Sequence, residues 1–194
     1  KEDKTGTYFA SNITYASKKA KSYLYKLEDD VIAASETHLN RRESLKLLKT
    51  MRREKTWNGT AACGYKKEGM KGLSAGTFMA VKTERDVLMP NVDHDNISGD
   101  PRNCSVVQKG DTEMVFTHMY GHVGIGLTGA NIEMIQKIGR STDGGRRFVI
   151  AAGDTNVTAE ALEASGLLEE IGLTLIRPNN VSITCTSGKG SLID

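Results

Sequence analysis

The sequence predicts an α+β fold in which two β-sheets pack together and helices cover their outer faces. Predicted strands outnumber predicted helices, hairpin signals are mixed with strand–helix units, and polar residues collect where predicted strands end. The chain has 194 residues, 38% of them hydrophobic and 26% charged, which is an ordinary globular composition and long enough for a substantial core. We therefore expect one domain covering residues 1–194.

The first half of the chain predicts strands and helices in alternation. Strands are predicted at residues 8–15, 31–35, 56–65 and 73–82. Helical spacing of apolar residues predicts two helices, the first marked by Ala16, Ala20, Leu24 and Leu27 and the second, ending near residue 53, by Leu45, Leu48 and Met51. Residues 83–101, which contain Pro, Asn and Gly, predict a long loop.

The second half begins with a predicted hairpin, since residues 104–108 and 114–119 flank a Lys-Gly-Asp turn. Ile132, Ile135 and Ile138 predict a helix, and Asp143-Gly144-Gly145 predicts a turn after it. The remaining predicted elements are a strand at 148–152, a short helix near 158–170, and strands at 173–177, 182–186 and from 192 onward.

The segment Phe-Val-Ile-Ala-Ala-Gly-Asp-Thr-Asn, residues 148–156, runs from a strand directly into a turn. Residues 149–152 predict a strand buried on both faces, and Gly153 allows the backbone to turn. Asp154 and Asn156 are two residues apart, so we expect both side chains on one side of the strand exit. Such a pair can take a proton from water while it binds an anionic oxygen. The alternative is that Asp154 caps a helix that begins near Thr158.

Positive charge is concentrated in one part of the sequence, although the net charge is only +2. Residues 41–71, the basic band, contain ten Lys and Arg against three Glu, a local net charge of +7. A concentration of this kind suits a polyanion such as nucleic acid. The alternative is a solvated helix face followed by a basic loop.

The cysteines and the apolar runs exclude several classes of protein. The three cysteines, Cys63, Cys104 and Cys185, are odd in number and far apart in the sequence. This pattern argues against a disulfide framework and against a zinc site, and it favours a reducing compartment. No apolar run approaches the roughly 18 residues that span a membrane. The chain begins at Lys1 without a signal peptide, so we expect an excised domain.

A glycine pattern at residues 124–129, Gly-Ile-Gly-Leu-Thr-Gly, matches the fingerprint of dinucleotide-binding folds. Its context does not fit, because the preceding strand follows a hairpin and only the turn at Asp143-Gly144 lies about 20 residues further on. We therefore interpret this segment as a glycine loop that leads into a helix.

Several polar residues at predicted strand ends resemble, taken in order, the endonuclease/exonuclease/phosphatase superfamily. The matching pieces are Ser11-Asn12-Ile13, Ser35-Glu36-Thr37-His38-Leu39, Ser74-Ala75-Gly76-Thr77, His118-Met119-Tyr120, Gly153-Asp154-Thr155-Asn156 and Ser191-Leu192-Ile193-Asp194. Glu-Thr-His-Leu and the segment from Thr184 before Ser-Leu-Ile-Asp are most similar to non-LTR retrotransposon (LINE-type) endonuclease domains.

The resemblance implies a four-layer α/β/β/α sandwich of two packed mixed sheets, truncated at the C-terminus. It also implies a DNA-nicking endonuclease that uses Mg²⁺, or alternatively Mn²⁺. Glu36 and Asn12 would then hold the metal, and a hard cation that keeps several waters suits so few carboxylates. Asp154 would position or deprotonate the attacking water, and Tyr120 and Asn156 would bind the phosphate. Asp194 would orient a histidine, and Thr184 would contact the substrate.

This sequence departs from the family pattern at three points. Ser35 stands where the family usually has Gln, Thr155 stands where it has Phe, and the chain stops before the Ser-Asp-His segment that supplies the catalytic histidine. His38 is interpreted as structural. Two alternatives therefore stay open: a phosphodiesterase or phosphatase acting on RNA or a small phosphoester, and an inactive nucleic-acid-binding remnant of the same fold.

The resemblance also gives expectations about partners and location. It implies a monomeric domain of a larger polyprotein that contains a reverse transcriptase, with DNA as the partner and no membrane. We expect the protein in the nucleus or the cytoplasm.

Overall fold

Two mixed β-sheets, each flanked by helices, form the centre of the computed structural model, which describes residues 7–13, 16–55, 57–69, 71–82, 87–90, 92–109 and 113–177. The strands are β1 (Tyr8–Asn12), β2 (Val31–Ser35), β3 (Trp57–Ala62), β4 (Tyr65–Lys66), β5 (Leu73–Ser74), β6 (Thr77–Lys82), β7 (Val87–Leu88), β8 (Ile97–Ser98), β9 (Asn103–Gln108), β10 (Met114–Tyr120) and β11 (Phe148–Asp154). The helices are α1 (Lys18–Leu24), α2 (Arg41–Lys55), α3 (Gly129–Arg140), α4 (Ala159–Ala164) and α5 (Leu167–Glu170).

The first sheet has the strand order β1-β2-β6-β3-β8 and the second the order β11-β10-β9-β7, while β4 and β5 form a separate hairpin. In the first sheet β1 runs parallel to β2, and β6 is antiparallel to both β2 and β3. In the second sheet β10 is antiparallel to β9 and parallel to β11. The hairpin predicted around Lys-Gly-Asp is confirmed by the pairing of β9 with β10.

Alternate residues of each sheet face different layers, because side chains alternate along a strand. Val31, Ala33 and Met79 pack against Cys104, Val106 and Phe116 in the layer between the two sheets. Ile32, Phe78 and Ala80 point to the opposite face of the first sheet, where they pack against Leu47 and Met51 of α2. On the outer face of the second sheet, Met119 and Val149 pack against Met134 and Ile138 of α3. The predicted four-layer sandwich is thus confirmed.

The basic band is divided between two elements. The exposed basic residues of α2 lie on the helix face that points away from the first sheet: Arg41, Arg42, Lys46, Lys49, Arg52 and Arg53. The β4–β5 hairpin carries a second exposed group, Lys66, Lys67 and Lys71. The α2 part of the band agrees with the alternative of a solvated helix face. Binding of a polyanion, if the band has that role, is therefore assigned to the hairpin.

Several predicted elements are shorter than expected or are replaced. The first strand ends at Asn12, and α1 begins at Lys18 after Ser17, whose Oγ accepts the Ala20 N–H at 3.1 Å. The helix predicted near 158–170 is interrupted by Gly166, which has φ 68° and separates α4 from α5. The predicted loop at 83–101 contains β7 and β8, since short segments there pair with β9 and β3.

Two predictions about the end of the described chain are wrong. Residues 173–177 do not form a strand. Leu173 packs on the outer face of the second sheet, and Arg177 binds Glu160 and Glu163 of α4 at 3.1 Å and 2.6 Å. Residues 149–152 are not buried on both faces: within the described residues β11 pairs only with β10, and Ile150 is 40% exposed. The strands predicted at 182–186 and from 192 lie outside the described residues.

No helix in the described part of the chain has the length and apolar character needed to cross a bilayer. Cys63 and Cys104 are free thiols, and Cys185 lies outside the described residues.

Candidate active site

Glu36 lies immediately after β2, where the chain changes direction. Glu36 and His38 both have φ 54°, a conformation that is uncommon for residues with side chains. The turn is held by backbone bonds to the segment before β6, from Thr37 N–H to the Gly76 carbonyl at 3.1 Å and from His38 N–H to the Ala75 carbonyl at 3.0 Å. The strand exit therefore has a defined position although its backbone is strained.

Tyr120, the last residue of β10, connects the second sheet to the first. Its hydroxyl donates a hydrogen bond to Glu36 Oε1, so two residues 84 positions apart meet at one edge of the sandwich. The pKa of Tyr120 is raised by burial, by its hydrogen bond to Glu36, and by the negative charges of Glu36 and Asp154. The tyrosine is consequently a neutral donor at all ordinary pH values.

Asp154 lies beside Tyr120, because the two residues are paired in the parallel register of β10 and β11. Asp154 Oδ1 accepts the Asn156 N–H at 3.0 Å, and the Asn156 Nδ2 donates to the Gly121 carbonyl at 3.0 Å. These bonds hold the carboxylate and the carboxamide at the same strand exit as predicted. The helix-capping alternative for Asp154 is wrong, since Thr158 caps α4 by accepting the Ala161 N–H at 3.2 Å.

The turn after β11 packs tightly against the turn after β10. The Gly121 N–H donates to the Asp154 carbonyl at 2.7 Å. A Cβ at Gly121 would collide with the backbone carbonyl of Thr155, so only glycine allows this approach. The two strand exits are therefore fixed relative to each other by backbone contacts.

Arg102 is the site residue that the sequence analysis missed. Its guanidinium lies 5.0 Å from the centre of the Tyr120 ring, and its Nη1 donates to the Gly121 carbonyl at 3.0 Å. Its Nη2 donates to the Tyr65 hydroxyl at 2.8 Å, which connects the site to the β4–β5 hairpin. In the sequence, Arg102 follows Pro101, the last residue of the loop predicted at 83–101, and no motif singles it out.

The histidines differ in their surroundings. His38 Nε2 lies 3.9 Å from Glu36 Oε1, close to the site. His122 is held through its backbone by Asn131, and burial lowers its pKa. His118 is fully buried between the sheets, two residues before Tyr120, and burial lowers its pKa to about 4. The Ala152 backbone lies nearby and opposes that shift only in part.

Three predicted site residues are described incompletely or not at all. The backbone of Asn12 pairs with Ser35, one residue before Glu36, so its Cα lies at the same edge of the first sheet. Its side chain is not among the described groups, and Thr184 and Asp194 lie outside the described residues. The structure thus brings together Glu36, Tyr120, Asp154 and Asn156.

The groups at these strand exits fit a hard divalent cation. The donors are carboxylate and carboxamide oxygens, the ligands that Mg²⁺ prefers, and the two carboxylates raise the pKa of Tyr120 through their negative charge. That negative charge would favour a bound cation. Glu36 would hold the metal, which would act as a Lewis acid on a phosphoryl oxygen.

A second group of potential metal ligands, Asp93, His94 and Asp95, lies on an exposed loop. Arg41 binds Asp93 at 2.7 Å and Asp95 at 2.6 Å, so an arginine already supplies the positive charge there. Asp93 Oδ1 also accepts the N–H groups of Asp95 and Ile97. We interpret this group as a loop held by an ion pair.

Residues 124–128 of the glycine pattern lie in the loop between β10 and α3, and Gly129 is the first residue of α3. Because β10 lies between an antiparallel and a parallel neighbour in a short mixed sheet, the surroundings differ from a dinucleotide-binding fold of parallel strands. The interpretation as a glycine loop is confirmed.

Comparison by sequence finds no matching family model and no matching curated protein. Comparison by structure finds proteins with the same architecture. The Haemophilus ducreyi cytolethal distending toxin matches with a TM-score of 0.58 and 14% identity, over 97% of this chain and 81% of the toxin chain. Beta toxin from Staphylococcus aureus matches with a TM-score of 0.56 and 14% identity, over 89% of this chain and 73% of the toxin chain.

ANGEL2, a 2′,3′-cyclic phosphatase, matches with a TM-score of 0.54 and 10% identity, over 84% of this chain and 57% of the ANGEL2 chain. At these identities the likeness concerns the fold. The architecture is a four-layer α/β/β/α fold, which this chain shares with these solved structures.

Proposed function

We propose that the protein is a divalent-metal-dependent phosphodiester hydrolase that nicks DNA. The hydrogen bond from Tyr120 to Glu36, with Asp154 paired beside Tyr120, carries this proposal. It unites at one edge three groups that the sequence places on separate strands. A carboxylate beside a neutral donor suits hydrolysis, because one group accepts a proton from water while the other stabilises charge on the phosphate.

The individual roles are proposed from the resemblance to the superfamily. Asp154 is proposed to orient the attacking water and to accept its proton, and Tyr120 and Asn156 to donate hydrogen bonds to the phosphate oxygens. Glu36, with Asn12 from the adjacent strand, is proposed to hold Mg²⁺, or Mn²⁺. Asp194 and Thr184 are proposed to orient a histidine and to contact the substrate, respectively.

The substrate and the setting are proposed from the sequence motifs. Glu-Thr-His-Leu at residues 36–39 resembles the retroelement branch of the superfamily. We propose a retroelement-like endonuclease that acts on DNA within a larger protein containing a reverse transcriptase. The exposed lysines of the β4–β5 hairpin support DNA over a small phosphoester, because a polyanion benefits from several cations near the site.

The experiment is nicking of supercoiled plasmid by the full-length protein with Mg²⁺. Glu36→Ala and Asp154→Ala should each abolish nicking, whereas Glu169→Ala, an exposed carboxylate on α5, should not. Circular dichroism of each variant verifies folding. Robust nicking by both site variants would disprove the proposal.

A further inference from the structure

Arg102 connects parts of the candidate site that are distant in sequence. Its Nη1 donates to the carbonyls of Tyr120 at 3.4 Å and Gly121 at 3.0 Å, and its Nη2 donates to the Tyr65 hydroxyl at 2.8 Å. Its guanidinium carbon lies 5.0 Å from the centre of the Tyr120 ring and 5.7 Å from the centre of the Tyr65 ring. One planar cation therefore binds the ring and the main chain at the end of β10 together.

The main chain on which Arg102 stands is fixed to both halves of the site. The Arg102 carbonyl accepts the Tyr120 N–H at 2.8 Å, and the Pro101 carbonyl accepts the Gly76 N–H at 3.0 Å. Gly76 belongs to the segment before β6 that holds the turn carrying Glu36. Arg102 therefore extends from backbone that is bonded to the supports of both Tyr120 and Glu36.

The guanidinium is already engaged by the protein, since both of its terminal nitrogens donate to protein oxygen atoms. An arginine that binds a phosphate presents two parallel N–H groups to its oxygens instead. The contacts of Arg102 thus suit a residue that supports a neighbour. The neighbour needs support, because the hydroxyl stands at the far end of the Tyr120 ring. A small rotation about the Cα–Cβ bond would displace this oxygen more than any other heavy atom of the side chain.

We propose that Arg102 is a positioning residue for the reaction, which holds the ring and main chain of Tyr120 so that the phenol hydroxyl meets a phosphate oxygen. This inference rests on the proposed function, in which Tyr120 donates that hydrogen bond. Arg102 acts through Tyr120 and touches neither the metal nor the phosphate. Because displacement of a catalytic group by about 1 Å can cost about 10²-fold in rate, support of this ring contributes to turnover.

The contacts require the shape of the guanidinium as well as its charge. One rigid plane reaches two carbonyls and a hydroxyl and lies near two rings. A lysine ammonium is a compact charge on a flexible stem, so it cannot make these contacts at once. We therefore expect Arg102→Lys to lose most of the effect of Arg102 on kcat, although the variant keeps the charge.

The first test is a double-mutant cycle measured on hydrolysis of bis(p-nitrophenyl) phosphate with Mg²⁺. Arg102→Met should lower kcat by about tenfold or more and leave KM within about twofold. In a Tyr120→Phe background the same change should lower kcat by less than about twofold, because the hydroxyl that Arg102 positions is absent. An equal loss in both backgrounds would overturn the proposal and assign Arg102 to the substrate or to the general scaffold.

Arg147→Met is the matched control. Arg147 is also a partly exposed arginine, and it binds Glu113 at 2.6 Å near the opposite end of β10, so its removal should leave kcat unchanged. Circular dichroism and urea denaturation verify folding of each variant. Arg102→Lys keeps the proposal testable if Arg102→Met does not fold. A kcat of Arg102→Lys equal to that of the unaltered protein would overturn the requirement for a guanidinium.

The second test needs no turnover. In protein labelled with ¹³C at the tyrosine ring, the Cζ signal of Tyr120, which disappears in Tyr120→Phe, reports the hydrogen bond from its hydroxyl to Glu36. This signal should move toward that of the exposed Tyr23 in Arg102→Met and Arg102→Lys, but not in Arg147→Met.

The two tests separate the inference from the function on which it rests. A Tyr120 signal that stays in place in both Arg102 variants would overturn the positioning role, even if kcat falls. Absence of activity on both plasmid and bis(p-nitrophenyl) phosphate, with the signal moved as expected, would instead overturn the proposed function.

Discussion

A hydrogen bond between two side chains, Tyr120 and Glu36, connects the two sheets at the candidate site. The Arg102 guanidinium packs on the Tyr120 ring, and backbone hydrogen bonds to the segment before β6 hold the strained turn that carries Glu36. The bond therefore depends on two supports that are distant in sequence. The orientation of the phenol is the important property at this scale: its one proton is donated to Glu36, and in the proposed role a phosphate oxygen would accept that proton instead.

Removal of the Tyr120 hydroxyl should impair turnover more than stability. We expect Tyr120→Phe to lower kcat by about 10²-fold, because one preorganised donor to the reacting charge is lost. The unfolding free energy should fall by only about 1 kcal/mol, the contribution of one hydrogen bond. Plasmid nicking and urea denaturation measure the two effects. Tyr23→Phe, at an exposed tyrosine, is the control, and an unchanged kcat in Tyr120→Phe would contradict this assignment.

His118 should make stability depend on pH. Burial lowers its pKa from 6.5 to about 4, so the folded protein keeps this histidine neutral where the unfolded chain binds a proton. The contribution of neutral His118 to the unfolding free energy is fully present above pH 6.5 and is lost as the pH falls toward 4. It amounts to about 3 kcal/mol at most.

Urea denaturation between pH 4 and pH 7 measures this effect. His118→Asn should flatten the rise of unfolding free energy with pH, whereas His94→Asn, at an exposed histidine, should leave it unchanged. The same slope in His118→Asn and the unaltered protein would show that other groups cause the pH dependence.

Among the elements, the parallel pair β10 and β11 positions Tyr120 beside Asp154. Gly153 has φ 142°, and a Cβ there would collide with the carbonyl oxygen of Met119 on the neighbouring strand. The close approach of the two strand ends therefore requires glycine in the Gly-Asp-x-Asn motif. This is a packing reason for a residue that the sequence analysis assigned only to a turn.

Gly153→Ala should separate the ends of β10 and β11. We expect the unfolding free energy to fall by about 2–4 kcal/mol, from strain at an unfavourable φ together with the clash. Urea denaturation measures this change. Gly99→Ala is the matched control, because a Cβ there would have open space around it. Equal stability of the two variants would disprove this explanation.

The hairpin β4–β5 and the helix α2 share the basic band but lie in different places. Tyr65 connects the hairpin to Arg102, whereas the basic face of α2 points away from the first sheet. Of the two parts of the basic band, we therefore expect the hairpin lysines, and not those of α2, to contact DNA bound at the site.

Charge reversal separates these two elements. Lys66→Glu/Lys67→Glu should weaken binding to duplex DNA by about tenfold or more at low salt and reduce its salt dependence. Lys46→Glu/Lys49→Glu, which changes the net charge equally on α2, should have a much smaller effect. Fluorescence anisotropy over a series of salt concentrations measures both. Equal losses in the two variants would mean that net charge matters and position does not.

For the whole molecule, the proposed metal site lies where the first and second sheets meet. A cation bound there contacts only the assembled sandwich, so it should stabilise the folded state through mass action. At ten times its dissociation constant, Mg²⁺ should add about 1.4 kcal/mol to the unfolding free energy.

The corresponding measurement is the Tm with Mg²⁺ and with excess EDTA. We expect Mg²⁺ to raise the Tm by a few degrees in the unaltered protein and not in Glu36→Gln. Asp93→Asn should keep the full shift, because its carboxylate belongs to the ion-paired loop with Arg41. A shift that survives Glu36→Gln and disappears in Asp93→Asn would move the metal to that loop.

The sequence by itself determined most of the strands, α2 and α3, the hairpin after β9, and the strand exits that carry Glu36, Tyr120 and Asp154. These features follow from alternation, helical spacing and turn residues, which act between near neighbours. The order of the polar motifs along the chain carries the family resemblance, and that resemblance predicted the four-layer sandwich.

Only the tertiary structure decided the role of Arg102 and the division of the basic band. It also replaced the strand predicted at 173–177 by a segment held through Leu173 and Arg177. Each of these depends on contacts between distant segments: a guanidinium under a ring from another strand, or a side chain packed on another layer. Local sequence patterns do not predict such contacts, because the free energy that favours these contacts arises only when the sheets and helices pack together.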